Sequence, residues 1–189
     1  MRRSEVTFMR RRRFYGLSLC LGVAIAGSVV LAQVKAPPMT KQVERGKELF
    51  LHTTKGIACG TCHEVGGVGT AIGPDLKKLA SVVGPRGLVS TIQMSMTAYV
   101  QEFKIKDVGT FPGIAKDGSG GAQIYDLSKN PPELHDVKQG DVQSQKQNEK
   151  WKHPPAAAGY SNQELADLIA WLKYAATGSV KEIKADEIE

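Results

Sequence analysis

Residues 59–63 read Cys59-Gly60-Thr61-Cys62-His63. Two thiols lie one short turn apart, with an imidazole directly after the second. This is the C-x-x-C-H spacing of covalent c-type haem attachment. Two thiols so placed can add to the two vinyl groups of one haem, and the adjacent imidazole then reaches the iron. Three other chemistries compete for the same residues. A structural zinc site usually takes four ligands, and no second cysteine pair or paired histidine follows at finger spacing. A thioredoxin-like redox pair wants a βαβ context, whereas the flanks here are glycine-rich and helical. A plain disulfide across so tight a loop is strained.

Working outward, Thr40 can cap a helix over about Lys41 to His52, with Val43, Gly46, Leu49 and Phe50 on one stripe. Gly73-Pro74-Asp75-Leu76 follows His63 by ten residues. A further helix is predicted from Pro85 to Tyr99, with Leu88, Val89, Ile92 and Met96 at helical spacing. Near the C-terminus, Ser161-Asn162-Gln163-Glu164 forms a capping box ahead of Leu165, Leu168, Ile169, Leu172 and Ala175, and the helix stops near Gly178. Each apolar stripe is read as core packing.

This order resembles the class I, monohaem c-type cytochromes, in a subgroup with a β insertion before the C-terminal helix. The resemblance covers about residues 40 to 105 and 150 to 176. It implies a mainly α fold: a class I cytochrome c-like helical haem domain with a small antiparallel β insertion. It also implies one covalently attached haem c with its iron, Cys59 and Cys62 as thioethers and His63 as the proximal ligand. Pro74 would offer its carbonyl to His63 Nδ1–H, fixing the tautomer. Gly46 and Phe50 would meet Leu168 and Trp171 where the terminal helices cross.

The distal ligand departs from the family pattern, in which a Met, usually followed by Pro, precedes the last helix. No Met occurs after Met96, and the corresponding place holds Trp151-Lys152-His153-Pro154-Pro155. His153 is therefore the first candidate, giving bis-histidine iron with a lower potential than a His/Met site of similar exposure. Met94 and Met96 are the alternatives, and His135, His52 or an open position follow them.

Between Tyr99 and Trp151 the helical period is lost. Phe103, Ile105 and Val108 alternate, and Lys116-Asp117-Gly118-Ser119-Gly120-Gly121 makes a turn before Gln123-Ile124-Tyr125-Asp126-Leu127. After Asn130-Pro131-Pro132 come a third short run, Leu134 to Val142, and a polar stretch, Gln143 to Lys150. The expectation is an insertion over 100–150 with two or three antiparallel strands, serving either as a docking surface or as a shield for the haem. Its acids are scattered, without the spaced pair or nucleophile–base arrangement of a catalytic constellation.

The N-terminus carries six arginines and then Phe14 to Ala32, nineteen residues without a charge, ending Val30-Leu31-Ala32. That is the pattern of an export signal cleaved after Ala32, with an uncleaved signal anchor as the competing reading. Either places the rest of the chain in the periplasm, the second on the outer face of the inner membrane. Cys20 is read as signal filler. The 189 residues carry a formal charge of +6 at a pI near 9.2, but residues 1 to 32 hold six Arg against Glu5, which accounts for +5. Nucleic-acid binding loses its motive once the charge is assigned to a presequence. The expected layout is a signal over 1–32, a cytochrome domain over 33–178 and a polar tail over 179–189.

The expected function is a one-electron carrier, not an enzyme. Its partners would be the cytochrome c maturation machinery and redox proteins: a dehydrogenase as donor, an oxidase or another cytochrome as acceptor. The competing function is a haem sensor or small ligand-binding haem protein with a labile distal site.

Overall fold

Thr40 caps α1 (Lys41–Leu51), its hydroxyl accepting the Val43 N–H at 3.3 Å, and Val43, Gly46 and Phe50 form the buried stripe. The computed structural model describes residues 36–94, 99–118 and 121–189. The expected signal over 1–32, with Cys20, and also Met96 lie outside the described residues. After the Cys59–Thr61 turn comes a hairpin, β1 (Glu64–Val65) and β2 (Val68–Gly69). Gly66 and Gly67 both adopt positive φ there, which a two-residue turn of this kind demands. Asp75 caps α2 (Leu76–Val82), accepting the Lys77 N–H at 2.7 Å. α3 (Pro85–Met94) opens on a proline, whose fixed φ suits a first helical position.

Five strands follow: β3 (Gln101–Ile105), β4 (Gly109–Gly118), β5 (Gly121–Asp126), β6 (Glu133–Val137) and β7 (Val142–Gln147). They form one antiparallel sheet in the order β6-β5-β4-β3-β7. Phe103 pairs with Phe111 across β3 and β4. With Ile105, Ile124 and Val137 these two rings make a core separate from that of the helices.

The mainly α class expected from the sequence is overturned. Among the described residues four α-helices accompany seven strands, five of them in one sheet, so the fold is α+β. The expected two or three strands fell short chiefly because β7 is exposed along nearly its whole length. Its run Val142-Gln-Ser-Gln-Lys-Gln147 lacks the apolar alternation that marks a half-buried strand. As an edge strand it needs none, and Lys146 instead pairs with Glu102 on β3 at 2.8 Å.

α4 (Asn162–Thr177) starts in a capping box between Ser161 and Glu164 and stops at Gly178, which is left-handed at φ 74°. It crosses α1 closely enough that a Cβ on Gly46 would lie 1.8 Å from the Asp167 carbonyl oxygen and 2.9 Å from Trp171 Cβ. One turn on, the rings of Phe50 and Trp171 sit 6.4 Å apart. Beyond α4 the chain returns to the helical core through Ile183 and Ile188, both buried. Gln42 holds it there, donating to the Ile183 carbonyl at 2.7 Å and accepting its N–H at 3.0 Å. The segment expected as a polar tail thus supplies two core residues, because its few apolar side chains fall where the helical core is open. No helix among the described residues is long and apolar enough to cross a membrane.

Gly46→Ala tests the crossing. Its methyl group meets backbone that cannot rotate away, and overpacking of this kind costs about 3 kcal/mol. The expected outcome is a urea midpoint lowered accordingly, followed by far-UV circular dichroism at unchanged m-value.

Candidate functional site

The Cys59 carbonyl accepts the N–H of both Cys62, at 3.2 Å, and His63, at 2.8 Å, which closes the C-x-x-C-H segment into a tight turn. The following loop is stitched back onto it: Thr70 N–H donates to the Gly60 carbonyl at 2.9 Å, and Gly73 N–H to that of Cys62 at 2.7 Å. His63 is thereby brought to Pro74, with Nδ1 2.9 Å from the proline carbonyl. A carbonyl can only accept, so Nδ1 carries the proton and Nε2 keeps a free lone pair. Gly73 flanks the ring, where a Cβ would fall 2.6 Å from His63 Cε1.

Cys59, Cys62 and His63 line one wall of an apolar cavity of about 250 Å³. Leu168 and Leu172 of α4 form its floor with Phe50, and Leu79 and Ile92 come from α2 and α3. The opposite wall holds Trp151 and His153 together with Ile114, Leu127, Lys129, Asn130 and Pro132 of the sheet and its β5–β6 loop. Both thiols are free, and burial pushes both above the usual thiol range. Burial also lowers His63, outweighing the opposing effect of its bond to Pro74 and reinforced by nearby His153. The imidazole is therefore neutral, as a metal ligand requires.

Among the histidines, the structure brings His63 and His153 together. Their ring centroids are 5.9 Å apart at an interplanar angle of 34°. His153 Nδ1 lies 2.6 Å from the Pro154 carbonyl, so it too presents a free Nε2. Met94 is 71% exposed and does not reach the cavity. His52 ends α1 on the surface. His135 packs on the Phe111 ring, with Nε2 3.9 Å from Asp126 Oδ2. Met96 lies outside the described residues.

The site fits a haem on the chain's own observations. An apolar cavity of about 250 Å³ lined by two thiols and two imidazoles has the donor set a covalent haem would use. Among the described residues no cluster of three or more His, Cys, Asp or Glu side chains is arranged around a bare metal ion. The sheet residues of the far wall carry no signal in the sequence beyond the turn at Asn130-Pro131-Pro132, because their contact with the cavity is long-range. Neither protein-family models nor curated proteins give a match to this chain.

An ion pair fastens the approach to the turn. Lys55 Nζ reaches both Glu164 oxygens, at 2.7 and 2.8 Å, and the Gly159 carbonyl at 3.2 Å. Lys55 holds the Glu164 carboxyl down at about 2, and the Ser161 N–H and hydroxyl add to the effect. A carboxylate depressed on folding contributes stability that is present above its unfolded value of about 4.3 and lost as pH falls through the folded one. The melting-temperature advantage of wild type over Glu164→Gln is thus expected to hold at pH 5 and above and to shrink between about pH 4 and pH 2.

Proposed function

We propose that this chain is an exported monohaem c-type cytochrome of the class I family, carrying single electrons between a dehydrogenase and a downstream oxidase or cytochrome. The observation that carries the reading is one apolar cavity lined by Cys59, Cys62 and two neighbouring imidazoles, each with Nδ1 beside a proline carbonyl. Cys59 and Cys62 would hold the haem as thioethers, and His63 and His153 would face its iron from two sides. When bound, the haem supplies a one-electron Fe(III)/Fe(II) couple.

The residues of the chain do the rest. The carbonyls of Pro74 and Pro154 fix both imidazole tautomers and raise their basicity, which favours Fe(III). Ile114, Leu127 and Pro132 exclude water from the far side. Their place in the cavity wall supports the shielding role for the sheet over the docking role. The periplasmic location rests on the sequence pattern of residues 1–32.

Protein made in a host with a working cytochrome c maturation system is expected to keep its haem through acid–acetone extraction. The Cys59→Ala/Cys62→Ala double variant loses it. The ferric spectrum is expected to be low spin, becoming high spin in His153→Ala and staying unchanged in Met94→Ala. Wild-type protein without covalent haem would sink the proposal. A thioether-to-iron charge-transfer band surviving in His153→Ala would remove His153 from the distal position.

A further inference from the structure

At Asn148 the last strand of the sheet passes the chain to the segment that carries His153. The Asn148 N–H donates to the Val100 carbonyl at 3.0 Å. Its side-chain oxygen accepts the N–H groups of Lys150, at 3.0 Å, and Trp151, at 2.9 Å. Val100 is fully buried and precedes β3, and Gln101 pairs directly with Gln147. The pairing of β3 with β7 therefore runs on to the point where the distal segment leaves the sheet. Trp151 then meets His153 edge-on, with centroids 6.1 Å apart and planes at 82°.

The other end of the segment is also constrained. Ala157 adopts φ 54°, a left-handed backbone that costs a non-glycine residue on the order of 1 kcal/mol. The ring of His153 has its hydrogen bond to Pro154, the next residue, at 2.6 Å. That bond fixes the ring against its own backbone but not against the rest of the molecule. Its placement opposite His63 must be inherited from the backbone on either side, and the polar anchorage on the sheet side converges on one side chain, Asn148.

We propose that Asn148 is a positioning residue for His153: through it and Trp151, the sheet sets how long the distal imidazole stays opposite His63. The inference rests on the haem reading given above and adds to it a device that governs distal ligand exchange. Asn148→Ala removes the acceptor of two N–H groups while leaving the bond to Val100. Asn148→Asp retains an acceptor oxygen in the same place.

The test is carbon monoxide association with the ferrous holoprotein by stopped flow, with ferric spectra and melting temperatures taken alongside. His153→Ala serves as the open reference. Asn148→Ala is expected to bind carbon monoxide about tenfold faster than wild type, a factor that corresponds to about 1.4 kcal/mol, and to show a partly high-spin ferric spectrum. Asn148→Asp is expected to restore both readings, and the melting temperature need not follow either. A wild-type rate and spin state in Asn148→Ala overturns the inference, as does an Asn148→Asp that behaves like the alanine variant. Should His153→Ala bind carbon monoxide no faster than wild type, His153 is not the ligand and the inference falls with it. Wild type devoid of haem ends the haem reading itself, whereas a haem-loaded protein indifferent to position 148 ends only this one.

Discussion

Two adjacent residues of α1 and one of α4 hold the helical half of this protein in place. Gly46 leaves room for the Asp167 carbonyl, and the side chain of that same Asp167 is gripped by Arg45, Nε to Oδ2 at 2.6 Å and Nη2 to Oδ1 at 2.9 Å. Gln163 adds a third donor at 2.9 Å. Burial alone would raise the Asp167 carboxyl, but the hydrogen bonds from Arg45 and Gln163 outweigh it and hold it below its usual range. Asp167 is buried but Arg45 is more than half exposed, so the pair adds little net stability, yet losing Arg45 would leave a buried carboxylate without its cation. Its consequence here is specificity: the helices can cross at this point and in this rotation. Phe50, Leu168 and Leu172 are thereby aimed at the cavity floor.

Everything on the near side of the cavity follows from that crossing within a short stretch of chain. Gly60 packs beneath Phe50 and Leu51, with room for no Cβ nearer than 2.9 Å to Leu51 Cδ2. The turn carrying both thiols is thus seated on the end of α1. Lys55 ties the same approach to the first turn of α4. The thiols and His63 are presented by backbone with little freedom, which is what a reaction at two fixed positions of one ligand needs.

These parts were legible in the sequence because their causes are local. Thr40 and the Ser161–Glu164 box announce helix starts through side-chain oxygens three residues from the N–H groups they accept, and the stripe Leu165, Leu168, Ile169, Leu172 announces a buried face; Asp75, read only as part of a turn, caps a short helix that the sequence did not announce. The sheet was read too small, for equally physical reasons. β4 contains Pro112 and Gly113, which ordinarily argue against a central strand, and it is tolerated because pairing with β5 begins only at Gly113. β7 is polar because it lies at an edge. The far wall of the cavity was not legible at all, since Ile114, Leu127 and Pro132 reach it only through the packing of the folded sheet. His153 was found by its place before the last helix, and nothing in its neighbours foretold the edge-on contact with Trp151.

The two imidazoles that face each other are therefore products of different halves of the fold. His63 is set by the loop of ten residues between it and Pro74, closed by backbone hydrogen bonds onto the cysteine turn. His153 arrives at the end of a sheet with its own core, whose strands begin at Gln101 and end at Gln147. In the proposed reading this division separates two tasks that a shorter helical chain would have to combine. The near half fixes where the cofactor is bound. The far half, whose core is separate from that of the helices, would deliver the second ligand.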